Sequence, residues 1–140
     1  MTRVVIDTNV LVSAIINGGK PRRLLRLVLR GRGHSAVASR EMLAELADVL
    51  AREKFSLTPR QIARFLTIYT GRSEVVDLNR LVSAVDVDPD DDIVLSTAVN
   101  GRAALIATGD KHLLALEEFE GIRIVTVAAA LNSLSAEESE

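Results

Sequence analysis

Short apolar runs alternate along this chain with longer amphipathic stretches, and that alternation limits its possible folds more than any other feature. Residues 3–6 (Arg-Val-Val-Ile) are rich in β-branched side chains, contain no turn former and stop at Asp7. Such a run predicts a short buried strand. Residues 35–38, 104–107 and 122–127 follow the same pattern, and 74–76 is a shorter candidate. Between them the apolar spacing is helical. Residues 9–16 predict a short helix closed by Asn17-Gly18-Gly19. Pro21 suits the first turn of a second helix, with Leu24, Leu25, Leu27, Val28 and Leu29 inward. Ser39 is a natural N-cap for a helix reaching about residue 53, whose inward stripe is Met42, Leu43, Leu46, Val49 and Leu50. Thr58-Pro59 opens a helix to about residue 71, and Asp88-Pro89 opens one to about 100–101. Residues 111–116 form a last short helix. Strands apolar on both faces, alternating with helices, predict a parallel sheet covered on both sides. The expected fold is α/β, a three-layer α/β/α sandwich with a short, mostly parallel sheet and Rossmann-like topology. Ligands of such sheets gather beyond the carboxyl ends of the strands.

The length of 140 residues suits one domain, expected over 1–134 with a flexible tail at 135–140. Hydrophobic residues at 48% supply a core, while aromatics at 3% argue against a stacking platform for bases. With no Cys there is no disulfide, zinc–thiolate site, iron–sulfur cluster or Cys nucleophile. No apolar run approaches ~18 residues, so no membrane-spanning helix is expected. Asp7 comes too early for a signal peptide, and a cytoplasmic location is the expectation. The net charge of −2 neither demands nor forbids a polyanionic partner. Its distribution says more. Residues 20–32 hold Lys20, Arg22, Arg23, Arg26, Arg30 and Arg32 and no acid. Residues 86–92 hold Asp86, Asp88, Asp90, Asp91 and Asp92 and no base.

The acids fall into an ordered set. Asp7 follows the first strand, and Asp110 follows the strand at 104–107. Asp91 and Asp92 sit in the first turn of the helix before that strand. All belong to one rim of the sheet if the topology holds. Glu45 lies three residues after Met42 and four before Val49, at the edge of an apolar stripe. An acid there must pair, bind metal or shift its pKa. Singly, each position has an ordinary explanation as a helix cap, a solvated first turn or an ion-pair partner. Arg22, Arg26 and Arg30 share one helix face, ordinarily a solvated one. Jointly, several carboxylates on one rim repel one another, and a divalent cation offsets that repulsion. Hard oxygen ligands suit Mg2+ or Mn2+, as one ion or two. Ions so held promote phosphodiester hydrolysis.

These residues resemble the PIN-domain family, especially the VapC-like toxins of bacterial and archaeal toxin–antitoxin pairs. The resemblance rests on Val5-Ile6-Asp7-Thr8-Asn9-Val10-Leu11, on Met42-Leu43-Ala44-Glu45-Leu46, on the run from Pro89 to Ala98, and on the run from Ala104 to Leu113. It covers roughly residues 3–131. It implies a metal-dependent endoribonuclease in which Asp7, Glu45, Asp91 and Asp110 are catalytic and bind metal. At the third acidic position the register leaves Asp90 and Asp92 open beside Asp91. It further implies that Asn9 and Thr108 orient these ligands by hydrogen bonds. Lys20, Arg22, Arg23 and Arg26 are candidate contacts for an RNA backbone. The implied partners are an RNA substrate, a cognate antitoxin and a second copy of the chain, with no membrane. A stand-alone RNA-processing nuclease is the alternative. A haloacid-dehalogenase-like phosphatase wants an acid two residues after its nucleophile, where this chain has Asn9. A phospho-receiver module wants an acidic pair that Asp7 precedes too early to join.

Overall fold

A computed structural model of the protein describes residues 2–84 and 88–139. The elements are β1 (Thr2–Ile6), α1 (Thr8–Ile16), α2 (Gly19–Leu29), β2 (His34–Ser39), α3 (Arg40–Leu50), a 3-10 turn (Glu53–Phe55), α4 (Pro59–Gly71), β3 (Ser73–Val76), α5 (Pro89–Asn100), β4 (Leu105–Ala107), α6 (Lys111–Leu116), β5 (Glu118–Phe119), β6 (Ile122–Val125) and α7 (Val127–Ser139). The sheet order is β3-β2-β1-β4-β6-β5. Among the described residues every strand pairing is parallel except that of β5 with β6.

Successive strand side chains point to opposite faces, and each face here has its own helix layer. Val4 and Ile6 enter one core with Val10 and Leu11 of α1, Leu24 and Leu27 of α2, and Leu134 of α7. Val5 enters the other with Val94 and Leu95 of α5 and Leu113 of α6. β2 and β4 divide likewise, with Ala36, Ala38, Leu105 and Ala107 on the first side and Val37 and Ile106 on the second. The expected three-layer α/β/α arrangement is therefore present.

Local boundaries differ from the sequence reading for identifiable reasons. α1 starts at Thr8 because the Asp7 carboxylate caps it. α2 starts at Gly19, before Pro21, after Gly18 turns the chain with a φ of 78°. α3 ends at Leu50, and the 3-10 turn accounts for the helical pattern that continues beyond it. The last strand stops at Val125, and α7 follows although the sequence reading places no helix there. The Thr126 hydroxyl accepts the Ala129 N–H at 3.2 Å and so opens α7. α7 reaches Ser139, entering the segment expected as a tail, while Glu140 and Asp86 lie outside the described residues. Among the described residues no helix is long and apolar enough to cross a membrane.

The topology places a crevice at one point. From β1 the chain builds β2 and β3 outward on one side, then crosses to β4 on the other side of β1. The carboxyl ends of β1 and β4 thus flank the switch point where ligands of open α/β sheets bind. Their register runs Val4↔Leu105, Val5↔Ile106 and Ile6↔Ala107, and the Asp7 N–H extends it by donating to the Ala107 carbonyl at 3.0 Å.

Close packing fixes α5 against the sheet at Gly101. A Cβ there would overlap Val37 Cγ1, and the Gly101 carbonyl accepts Arg3 Nε at 2.7 Å. Gly101→Ala should therefore cost about 1–3 kcal/mol by urea denaturation, the range for overpacking a filled core. Gly71→Ala, where a Cβ meets nothing within 4 Å, should leave the midpoint unchanged or raise it slightly.

Candidate metal centre

Three helix N-termini meet at the crevice, and each is capped by an aspartate. Asp7 opens α1, accepting the Thr8 N–H at 2.7 Å. Asp88 opens α5, accepting the Asp90 N–H at 2.9 Å. Asp110 opens α6, accepting the N–H groups of His112 at 2.8 Å and Leu113 at 3.1 Å. The free amides and positive dipole end of a helix favour such anions. Asp91 sits in the first turn of α5 and is only 4% exposed.

One oxygen from each of Asp88, Asp91 and Asp110 lies within 4.8 Å of the other two. Asp7 stands beside this group and adds to the repulsion felt by Asp91. Thr108, fully buried at the end of β4, ties the two strand ends together. Its hydroxyl donates to Asp7 Oδ2 at 2.7 Å and accepts the Asp110 N–H at 2.9 Å. One side chain thereby links the carboxylate of Asp7 to the backbone of Asp110.

The electrostatics are those of uncompensated acids. Burial, then repulsion from Asp110, Asp88 and Asp7, pushes the Asp91 carboxyl up to about 7. Burial also raises Asp7, although the hydrogen bonds from Thr108 and Thr8 pull the other way. Glu45, half-buried on α3, is raised by burial and by the charges of Asp90 and Asp7. The main causes of these three shifts are burial and other carboxylates, with no Lys or Arg among them. The described ion pairs, Arg3 with Glu74 and Arg80 with Glu120, lie elsewhere. Asp91 Oδ2 is buried with no hydrogen-bond partner among the described residues. A buried carboxylate with an unpartnered oxygen, grouped with other hard oxygen donors, fits a small divalent cation such as Mg2+ or Mn2+.

The sequence candidates take different places. Asp7, Asp91 and Asp110 converge. Glu45, on α3, is near enough to feel the charges of Asp90, Asp7 and Asp88 but is outside the tight group. Its helix is tied to α5 by buried hydroxyls: Ser39 Oγ lies 2.8 Å from Thr97 Oγ1, and Thr97 donates to the Ile93 carbonyl at 2.8 Å. Asp92 turns away from the group and accepts the Ala84 N–H at 2.9 Å. Asp90 and Asn9 are exposed. In the sequence Asp88 reads only as part of a solvated first turn. Its cap position gives no sign that its second role is to face Asp91 and Asp110.

The basic strip lies at the other end of α1. Arg22 is not on an open face with Arg26: its guanidinium donates to the carbonyls of Ala14 at 2.8 Å and Ile15 at 2.9 Å, closing α1. Lys20, Arg23 and Arg26 are exposed. Arg23 and Arg26 border a groove of about 750 Å3 between α1, α2, α4 and α7, with Ile15, Leu25, Phe65 and Leu131 in its walls. On α4, Tyr69 is in the core with Phe65 stacked on it at 5.8 Å between ring centroids.

Comparison with known proteins agrees with this architecture. A family model described as PIN domain matches residues 3–112. An uncharacterised protein of Methanocaldococcus jannaschii is 31% identical over 120 residues, covering 83% of this chain and 76% of that protein. Among solved structures, VapBC2 from Rickettsia felis, bound to a DNA fragment from its promoter, aligns with a TM-score of 0.61. The match has 19% identity and covers 89% of this chain and 98% of that one. FitAcB from Neisseria gonorrhoeae aligns with a TM-score of 0.56 at 18% identity, covering 89% of this chain and 98% of that one. At these identities the likeness is one of fold.

The raised Asp91 carboxyl sets a pH dependence. In the unfolded chain it ionises near its ordinary value of about 3.9, so the folded state holds the extra proton between about pH 4 and 7. Its contribution to stability therefore falls as pH rises through that window. In chelator, Asp91→Asn should stabilise the chain by on the order of 1–3 kcal/mol at pH 8 and by clearly less at pH 5. Millimolar Mg2+ should close the gap at pH 8 by stabilising the wild type alone. Urea titrations at both pH values read this out, and equal gains at pH 5 and 8 would contradict it.

Proposed function

The chain belongs to the PIN-domain family, and from that premise we propose that it is a divalent-metal-dependent endoribonuclease, the toxin of a toxin–antitoxin pair. The observation that carries the proposal is that Asp91, buried and with one unpartnered oxygen, belongs to a group of carboxylates in which its strongest charged neighbours are other acids. Structural hydrogen bonding alone would leave that oxygen satisfied and those acids paired.

Asp7, Asp88, Asp91 and Asp110 would hold Mg2+ or Mn2+ in the crevice. When bound, the cation supplies Lewis-acid stabilisation of the charge that develops on a phosphodiester during hydrolysis. The protein's own groups do the rest. Thr108 ties the Asp7 carboxylate to the Asp110 backbone, and the amides of His112 and Leu113 hold the Asp110 carboxylate. Glu45, outside the tight group and half-open to solvent, suits a water-facing proton acceptor at its carboxylate. Burial and neighbouring negative charge, which raise its pKa, make it a better base at neutral pH. Lys20, Arg23 and Arg26 lie beyond the crevice, where the flanking backbone of a longer RNA would pass. The apolar, arginine-rimmed groove suits an amphipathic antitoxin segment with acidic flanks. A homodimer, implied by the family resemblance, belongs to the same proposal.

The test is cleavage of a mixed RNA pool with Mg2+ or Mn2+, set beside turnover of p-nitrophenyl phosphate and labelling by acetyl phosphate. RNA should be cut, chelator should stop the reaction, and the two small phosphates should be inert. Asp7→Asn and Asp91→Asn should each lower the rate by about 100-fold or more while the far-UV circular dichroism stays native. Cleavage retained in both variants, or in chelator, would remove the carboxylates from the chemistry. Replacing Arg23 and Arg26 together by Ala should lower the slope of log affinity for RNA against log salt by about 1–2.

A further inference from the structure

Residues 80–84 have no regular secondary structure, yet alternate amides of this segment are bound by one face of α5. The Arg80 N–H donates to Asn100 Oδ1 at 3.1 Å, the Val82 N–H to Ser96 Oγ at 2.9 Å, and the Ala84 N–H to Asp92 Oδ1 at 2.9 Å. Asn100 Nδ2 returns a bond to the Arg80 carbonyl at 2.7 Å, so its amide pairs with both polar groups of that residue as a neighbouring strand would. The same Nδ2 also donates to the Ser96 carbonyl at 2.7 Å. The three side chains are four residues apart on the helix, and the three amides are two residues apart on the strap. Four helical residues advance about 6.0 Å, and two extended residues advance about 6.4–6.8 Å. The two repeats are therefore nearly commensurate, and three rungs form without strain accumulating.

The strap is anchored at its start and packed along its length. The Arg80 guanidinium makes a bidentate pair with Glu120, 2.7 Å to each carboxylate oxygen. Val82 and Ala84 pack against the core beneath α5, while Leu81 between them is 72% exposed. The next described residue after the strap is Asp88, which caps α5 and faces Asp91 and Asp110. Adjacent helical residues point about 100° apart. Asp91 can thus enter the carboxylate group while Asp92, next to it, holds the strap.

We propose that Asp92, Ser96 and Asn100 form a polar ladder that holds residues 80–84 against α5 and thereby positions Asp88 in the cation site. Ser96 and Asn100 are positioning residues: they touch neither cation nor substrate and act through the placement of Asp88. The cation site itself rests on the function proposed above, whereas the ladder stands on its own hydrogen bonds.

Residue-resolved hydrogen exchange on the full chain, with Mn2+ binding measured by electron paramagnetic resonance, tests the proposal. The variants are Asn100→Ala, Ser96→Ala and their combination, with Asn100→Asp as the conservative change that keeps an acceptor for the Arg80 N–H. In Asn100→Ala and in the double variant the amides of Arg80, Val82 and Ala84 should exchange faster. So should the Asp90 amide, which the Asp88 carboxylate caps. Mn2+ affinity should fall by about tenfold or more, as for partners that orient ligands from outside. The denaturation midpoint measured in chelator should fall little, and Asn100→Asp should keep more of the affinity than Asn100→Ala. If the double variant does not fold, the single variants carry the comparison. Strap amides that loosen while Mn2+ affinity and the Asp90 amide stay as in the wild type would overturn the proposal. So would strap amides that do not loosen. A wild-type chain that takes up no Mn2+ would overturn the proposed function instead, and exchange at Asp90 would still decide the ladder.

Discussion

Mutual repulsion among Asp7, Asp88, Asp91 and Asp110 is the constraint around which the rest of the molecule is arranged. Two unit charges 4.8 Å apart repel by about 3–4 kcal/mol at an effective dielectric of 20. Several such pairs rival the whole stability of a domain this size. The fold tolerates them in three ways. Asp7, Asp88 and Asp110 each cap a helix, so local amides stabilise each charge. Thr108 donates its hydroxyl proton to Asp7. Asp91, which has neither device on its buried oxygen, keeps a proton to about pH 7. A cation would replace that proton with two positive charges shared by all four acids.

Everything that brings these groups together follows from the sheet. A strand apolar on both faces must lie between helix layers, and parallel strands so covered put their helix N-termini on one rim. β1 and β4 pair in register, so Asp7 and Thr108 come out side by side. The crossover after β3 delivers α5 to the same rim with Asp88 and Asp91 at its start. Glu45 arrives differently, from the second turn of α3, and the Ser39–Thr97 contact sets its distance from α5. The precision of the site therefore depends on short polar contacts between elements far apart in sequence.

Those contacts mark the limit of what is legible in the sequence. Strand and helix periodicities are visible because they are local, and so are the acids at the ends of strands. Asp91 separates from Asp92 only in three dimensions, where one faces the crevice and the other the Ala84 amide. Asp88 is hidden by being a good cap, a role that explains an Asp before a helix without further chemistry. Arg22 has the spacing of a surface arginine, and only the placement of α1 shows that it closes that helix. β5 has two residues, too few for any periodicity. α7 is readable in principle: Thr126 before an alanine-rich run is a cap before a helix, but the apolar pattern of the last strand runs on through it. The stripe of Asp92, Ser96 and Asn100 is also present at helical spacing, without any sign that its partner is backbone.

The most direct measurement is a crystal structure of the wild-type chain grown with Mn2+, with diffraction recorded at the manganese edge. An anomalous peak is expected in the crevice, at coordination distance from carboxylate oxygens of Asp88, Asp91 and Asp110. A peak elsewhere, or full occupancy of the crevice by a basic side chain with no anomalous signal, would contradict that expectation.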